Sequence, residues 1–537
     1  MDPLELLTDL ARPEALPEAG PSVEVRQTHI SLVFLTGDRV YKVKKTLALW
    51  GFLDYSTLEA RRRCCEEEVR INRRLAPDVY LGVAPVVRRA GRLVVGGGPR
   101  QVDGPGAGRA GEGPAVDWAV VMRRLRDEDT LAHRIATGVT TPAEVEDVGR
   151  LVAAFHAGAR TAQASRIARP IAFARILRQN FLATRAEAAT LGPSLHAWLD
   201  RRVARLLRDA RATIVRRHRA GVPVDGHGDL RAEHVVRDAR PGRPPWLVID
   251  GIEFAPTLRC IDPLSDAAFL AMDLASLGRR DLADAYLSAY LAARPDPDAP
   301  ALLPLFLAYR AHVRAKVDAH RAGEPEIPAP DRAAALEGAR RHLALAWSYA
   351  RLGTPPPLVL LAGPSGVGKS AVARALAPVL GAEVVSSDVE RKRLAGLAPS
   401  TRVEGPALDA LYGREMSLRT YAALEAKAAA ALAAGRPVLL DATYLLRGAR
   451  ASAVAGARRL GCPAAILALE VAPDLARARI EARAVAGTDP SDATWAVHQA
   501  QVAAAEPVAA GEADAVVRHD AARPPASALG PLLEALT

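Results

Sequence analysis

The chain is expected to fold as two domains, an α+β domain in front and an α/β domain with a parallel sheet behind. Three observations predict this. First, Gly363-Pro364-Ser365-Gly366-Val367-Gly368-Lys369-Ser370 fits GxxxxGK[ST] without a mismatch, after the apolar run Pro357-Leu358-Val359-Leu360-Leu361 and before the apolar-periodic segment Val372 to Leu380. Strand, loop and helix follow in the order that a phosphate-binding loop requires. Second, strands and helices alternate from there onward, as βα units of a parallel sheet do. Third, the earlier residues gather strands first and helices afterwards, and Thr354-Pro355-Pro356-Pro357 marks a linker. The expected domains are 1–352 and 353–537.

Composition sets the outer bounds. At 537 residues the chain is too long for a single core. Half the residues are hydrophobic and a quarter charged, the balance of a folded, soluble protein. Met1-Asp2-Pro3-Leu4-Glu5 has no basic start, and no stretch offers some 18 uncharged apolar residues, so a cytoplasmic location without membrane contact is expected. Cys64, Cys65, Cys260 and Cys462 lack metal-ligand spacing and are expected as free thiols. The net charge of +10 is carried almost wholly by the first 355 residues, at +9. The near-neutral remainder has no basic stripe, which argues against a nucleic-acid partner there. Lysine is scarce, at positions 42, 44, 45, 316, 369, 392 and 427 only, so the 42–45 cluster stands out in an arginine-rich chain.

In chain order, Val23-Glu24-Val25, residues 30–35 and residues 40–44 read as strands around the turn Thr36-Gly37-Asp38. Strand alternation puts Lys42 and Lys44 on one face, with Tyr41 and Val43 on the other. That basic face suits either a nucleotide or a solvated edge guarded by lysines. A helix follows over about 56–75, then strands over 79–95, a glycine-rich loop from Gly96 to Pro114 and a strand at Trp118–Met122. Thr141-Pro142-Ala143-Glu144 is a capping box that opens a helix, and further helices are expected near 171–187 and 193–219. The helical texture breaks at Val224 to Val236, which contains His227-Gly228-Asp229-Leu230, and at Trp246 to Phe254, which contains Ile249-Asp250. Asp262 and Asp266 follow.

Beyond the linker, 382–388, 437–441, 464–471 and 515–518 are candidate strands beside the phosphate-loop strand. Asp388 is expected to close its strand, with Arg391 three residues on, at the carboxyl edge where open α/β sheets bind ligands. A carboxylate there can accept a hydroxyl proton, and an arginine can hold an acceptor or a phosphate. Lys369 would reach the β- and γ-phosphates and the Ser370 hydroxyl would bind Mg²⁺. Asp441 ends an apolar strand as a second Mg²⁺-side acid, with Thr443 beside it. Arg479 and Arg483, at i and i+4, either close over the transferring phosphoryl group or are surface helix arginines.

The loop, Asp388-x-x-Arg391, Asp441-Ala442-Thr443 and the Arg479/Arg483 pair resemble the P-loop kinase group that includes polynucleotide kinase, gluconate kinase and zeta toxin, over about 357–537. The resemblance implies Asp388 as the base that activates the acceptor hydroxyl, and the late arginines as a lid. Residues 22–350 resemble the aminoglycoside phosphotransferase family, itself similar to protein kinases. This implies Asp229 as the catalytic base and Asp250 as a metal ligand. It also implies Lys42 or Lys44 paired with Glu68, and Met122 at the adenine hinge. His234 stands where that family usually places a metal-binding Asn. The joined arrangement resembles bacterial bifunctional aminoglycoside phosphotransferase/ATP-binding proteins. The expected function is phosphoryl transfer from ATP, with Mg²⁺, to a hydroxyl of a small molecule. The front domain would then be a second kinase or a sensor. A non-catalytic ATP switch and a nucleic-acid 5′-hydroxyl kinase are the alternatives.

Overall fold

The computed structural model describes residues 3–18, 20–28, 30–49, 53–97, 113–186, 192–325, 327–403, 405–486 and 491–537. Most of the glycine-rich loop expected after Gly96 lies outside these residues. The chain forms two compact units. The first comprises Met1–Ile176, Ala210–Leu277 and Asp281–Phe306, and the second Leu177–Asp209, Gly278–Arg280 and Leu307–Thr537.

The first unit is α+β. Strands β1 (Glu24–Gln27), β2 (Ser31–Leu35) and β3 (Arg39–Lys44) are followed by a short pair, β4 (Ala48–Leu49) and β5 (Leu53–Asp54). Then come β6 (Tyr80–Arg89), β7 (Arg92–Val95) and β8 (Ala115–Arg123). The six-stranded antiparallel sheet has the order β1-β2-β3-β8-β6-β7. β3 therefore lies inside the sheet, with Lys42 opposite Val33 on one side and Val120 on the other, and the solvated-edge reading of its lysines falls. The two faces divide as alternation requires. Tyr41 and Val43 join Leu6, Leu10, Phe34 and Val121 in one core cluster. Val40 and Met122 join Cys65, Val69 and Val83 in the other.

Cys65 and Val69 belong to the helix Leu58–Asn72, whose N-cap Thr57 accepts the Ala60 amide. The Thr141/Glu144 capping box forms as expected and starts the helix Pro142–Gly158. The chain then supplies short strands β9 (Val224–Asp225), β10 (Val235–Arg237), β11 (Trp246–Val248) and β12 (Cys260–Ile261), and between them the two acid-bearing turns.

The second unit is α/β. Strands β13 (Leu358–Ala362), β14 (Glu383–Ser386), β15 (Val438–Asp441), β16 (Ala464–Glu470) and β17 (Ala515–Asp520) form one parallel sheet in the order β14-β15-β13-β16-β17. β13 is buried at all five positions, as a strand covered on both faces must be. Its side chains Leu358, Leu360 and Ala362 pack with Leu440, Ile466 and helix residues such as Leu424 and Val454. One boundary differs from expectation: β14 stops at Ser386, and Asp388 lies in the first turn of the helix Ser387–Leu394. The acid-rich first turn suits a helix N-terminus, whose exposed amides favour negative charge. The unit also holds the start of the helix Pro193–Arg219. Its Ser194 and Leu195 amides donate to the Glu534 carboxylate at 2.7 and 3.0 Å, and Trp198 packs near Trp347.

Candidate active sites

In the second unit the phosphate loop joins β13 to the helix Lys369–Leu380. Gly366 and Gly368 sit at φ 86° and 103°, and a Cβ on Gly366 would come within 2.7 Å of Ile480. Glycine is required there on both counts. The Lys369 ammonium donates to the carbonyls of Gly363 and Pro364 at 2.9 and 2.8 Å. Burial lowers its pKa, an effect opposed by the nearby carboxylates of Asp441 and Asp388 and reinforced by Arg483. Asp441 is buried, and its pKa is raised by that burial although it accepts a hydrogen bond from Ser370 and lies near Lys369. Lys369, Ser370, Asp388, Asp441 and Arg483 therefore share one corner at the carboxyl ends of β13 and β15. The Ser370 hydroxyl and the Asp441 carboxylate are hard oxygen donors held together, a set that fits Mg²⁺.

The two late arginines divide. Arg479 donates to the Val367 carbonyl at 2.9 Å and to the Ala521 carbonyl at 2.8 Å, so its guanidinium braces the loop. Arg483 donates to the Ala493 carbonyl at 2.8 Å and is the one that acts on Lys369. A further brace comes from the helix Trp495–Ala504. There Gln501 accepts the Ser365 amide at 2.7 Å, and the His498 ring, stacked on Trp495, meets the Ser365 carbonyl at 2.7 Å.

Arg391 is buried among protein partners. It donates to the Leu411 carbonyl and the Ser417 hydroxyl, both at 3.1 Å, and its guanidinium lies 4.6 Å from the Tyr412 ring centre. The Tyr412 hydroxyl in turn donates to Asp388 at 3.4 Å. Arg391 thus supports Asp388 through Tyr412. On the other side Thr443 bonds Tyr421 at 3.1 Å, while its carbonyl accepts the Gly363 amide at 2.9 Å. Tyr444, next along, is held at φ 44°, a strained setting for a non-glycine residue.

In the first unit both lysines of β3 reach Glu68. Lys42 lies 2.9 Å from Glu68 and 2.7 Å from Asp250, and Lys44 bridges Glu68 and Glu253 with no exposure at all. The Tyr55 hydroxyl donates to Glu253 at 2.7 Å. Burial alone would raise the Asp250 carboxyl, but Lys42 beside it holds it well below the usual range. Asp250 is also at φ 62°, fixed by the Asp250 amide donating to the Tyr80 hydroxyl and the Gly251 amide donating to Asn72.

The turn before Asp229 is anchored by Asp266, which accepts the His227 and Gly228 amides at 2.6 and 2.9 Å and faces His156 at 3.2 Å. Burial drives the His227 pKa down to about 4, and its Nε2 sits 2.9 Å from the Ile249 carbonyl. Asp229 is clasped by both ends of the Arg231 guanidinium at 3.0 and 3.1 Å. His234 has both ring nitrogens engaged, Nδ1 with the Asp229 carbonyl at 2.8 Å and Nε2 with Arg231 at 3.1 Å. Both ring nitrogens of His234 thus lie against protein groups. Met122 is the penultimate residue of β8, with its side chain in the apolar cluster against one face of the sheet. Each unit thus holds its own candidate site. Glu253, Tyr55, Arg231, Tyr412, His498 and Gln501 carry no local signal that would have singled them out in the sequence.

Among the described residues no helix is long and apolar enough to cross a membrane, and all four cysteines are free. Residues 358–508 match the AAA domain family. Over 62–64% or about a third of its length the chain is also similar to solved kinases. A choline/ethanolamine kinase family protein from Mesorhizobium loti is 14% identical, with 63% of this chain and 95% of that one covered and a TM-score of 0.36. A gluconokinase from Sinorhizobium meliloti 1021 is 20% identical, with 34% and 93% covered and a TM-score of 0.26. Uncharacterized protein Rv2004c of Mycobacterium tuberculosis is 33% identical over 430 residues, 79% of each chain, and Uncharacterized protein Mb2027c of Mycobacterium bovis matches to the same extent. With that identity over that span, the chain belongs to the family of these mycobacterial proteins.

Proposed function

We propose that the second unit is an ATP-dependent kinase that moves the γ-phosphoryl group to a hydroxyl of a small molecule. The observation that carries this reading is the meeting of Lys369, Ser370, Asp388 and Asp441 in one corner beside the phosphate loop. Loop amides from Gly366 to Ser370 would hold the β-phosphate. Lys369 would leave the Gly363 and Pro364 carbonyls for the β- and γ-phosphate oxygens. Ser370 and Asp441 would hold Mg²⁺, which supplies charge neutralisation across those oxygens. The acceptor oxygen attacks the γ-phosphorus as the bond to the β–γ bridging oxygen breaks. Its proton passes to the Asp388 carboxylate, and ADP leaves. Tyr412 and Arg391 keep Asp388 in place, Arg479 keeps the loop in shape, and Arg483 adds positive charge on the reacting side.

In the same reading the first unit binds a second nucleotide, with Lys42 on its phosphates and Asp250 on its metal, and Asp229 is the candidate base if that unit turns over. The test is ATP consumption by the intact chain and by Lys369→Ala and Asp229→Asn variants, across a library of sugars, nucleosides and aminoglycosides. Acceptor-stimulated turnover lost only in Lys369→Ala supports the second unit as the kinase. Loss only in Asp229→Asn transfers the activity to the first unit. Binding of ATP with no turnover on any acceptor replaces the kinase with a switch.

A further inference from the structure

We infer that the first unit carries a binding site for a small phosphate-bearing molecule, separate from both nucleotide sites, behind the turn that bears Asp229. Two neighbouring cavities of about 550 and 240 Å³ share Arg70, Arg160 and Asp225 as walls. The larger is in the size range of small-molecule sites. It also meets Arg74 and Phe155, and the smaller meets Arg259 and Glu67.

Four arginines thus line the cavities beside two carboxylates, and three of them pair with those carboxylates. Glu67 pairs with Arg70 at 2.6 Å and with Arg259 at 2.9 Å, and Asp225 serves Arg259 closely but Arg74 and Arg70 only at 3.6 and 3.8 Å. Arginines outnumber carboxylates in these walls, with Asp266 a further carboxylate acting on Arg74. Burial lowers the Arg74 pKa, Asp225 and Asp266 oppose this, and Arg259 and Arg70 add to it. Arg160 is exposed, with no ion-pair partner among the described residues, and its carbonyl is pinned by the Asp225 amide at 3.0 Å. The Phe155 ring under the Arg74 guanidinium, 5.0 Å from its centre, and the small residues Gly158 and Ala159 leave space and one apolar wall.

An under-neutralised arginine cluster around a cavity selects an anion that several planar donors can grip at once, which is the geometry of a phosphate. The position matters as well. Arg74 donates to the carbonyls of Asp225 and Gly226 at 2.6 and 2.9 Å, immediately before His227. Glu67 adjoins Glu68, the partner of both β3 lysines. An occupant of the cavity therefore meets Arg74, which holds the backbone leading into the His227–Asp229 turn, and lies close to Glu67, the neighbour in sequence of Glu68.

The test is calorimetric titration of inorganic pyrophosphate into the intact chain carrying Lys369→Ala, so that the phosphate loop does not compete, in magnesium-free buffer at fixed ionic strength. One saturable site is expected apart from any binding at Lys42. Arg160→Ala removes an exposed side chain that no fold contact uses, and should weaken binding about tenfold, the worth of one charge-assisted contact. Lys42→Ala should leave it unchanged. Affinity unaltered by Arg160→Ala, loss of binding in Lys42→Ala, or no saturation by about 10 mM pyrophosphate, weaker than a specific site, each overturns the assignment.

Discussion

Lys44→Met isolates what the second lysine of β3 does. Its ammonium has no exposure and lies between Glu68 and Glu253, themselves nearly buried. In the variant Glu68 keeps Lys42 at 2.9 Å, and Glu253 keeps the Tyr55 hydroxyl and the more distant charge of Lys42. A carboxylate stripped of its buried counter-ion costs about 3–5 kcal/mol. Repulsion from Glu68 alone would supply about 3 kcal/mol at a separation near 5 Å and an effective dielectric near 20.

Glu253 would respond by taking up a proton. Burial raises its carboxyl and Lys44 now holds it low, so removing Lys44 lifts it above the unfolded-state value. A raised carboxyl costs stability above that raised pKa and regains it as pH falls through it, so the variant should gain relative to the parent on acidification. Hydrogen exchange read by mass spectrometry over residues 39–44 and 58–72 measures the local opening free energy, which suits a chain of two units better than a single global melt. Lys44→Met/Glu253→Gln should recover most of the loss. A single variant within about 0.5 kcal/mol of the parent, the usual range of a surface change, would refute the reasoning. So would a double variant no better than the single one.

Lys42→Ala should behave in the opposite way. Asp250 is open enough to be solvated and Glu68 retains Lys44, so opening free energies should move little while nucleotide protection of residues 39–44 disappears in exchange experiments. His227, neutral in the fold because burial lowers it from 6.5 to about 4, makes the unfolded state the better proton binder between those values. Stability is complete above pH 6.5 and falls by up to about 3 kcal/mol toward pH 4; a melting-temperature profile of His227→Gln should be flatter across that window. Arg479→Ala removes the brace on Val367 and should raise KM for ATP about tenfold or more with a smaller change in kcat, and Arg479→Lys should not rescue it, because the forked guanidinium reaches carbonyls on two separate segments, Val367 and Ala521, with two different nitrogens. A loss confined to kcat would mean that Arg479 acts on the transferring phosphoryl group instead.

Much of this architecture is written locally. The phosphate loop, the Thr141 cap and the alternation of Lys42 and Lys44 against Tyr41 and Val43 each depend on residues a few positions apart, and all three form. Whether the β3 lysines face solvent or a site depends on strand order, which the hairpin itself does not encode; pairing with β8, more than seventy residues later, buries them. The partners of charged groups were hardest to foresee. Arg391 was legible as a residue near Asp388, but its stacking on Tyr412 depends on a helix supplied twenty residues on. Gln501 and His498 reach Ser365 across more than 130 residues. His234 was legible as a departure in residue type, whereas the engagement of both its nitrogens depends on the turn's three-dimensional path.

The carboxylate of Glu534 capping the helix that begins at Pro193 has a meaning for synthesis on the ribosome. Translation is vectorial, and the two ends of that contact are 340 residues apart. At typical elongation rates of about 5–20 residues per second, the amides of Ser194 and Leu195 wait tens of seconds for their acceptor. Over that interval the segments Leu177–Asp209 and Leu307–Ala350 lack the later part of the unit to which they belong. The first unit interleaves with them in sequence, so the nascent chain must carry unfinished helices through its own folding. A shortened chain ending near residue 352 would keep them unfinished permanently. Expression of such fragments should accordingly depend on chaperones that shield apolar helix faces, and supplying residues 353–537 as a separate chain should relieve that dependence.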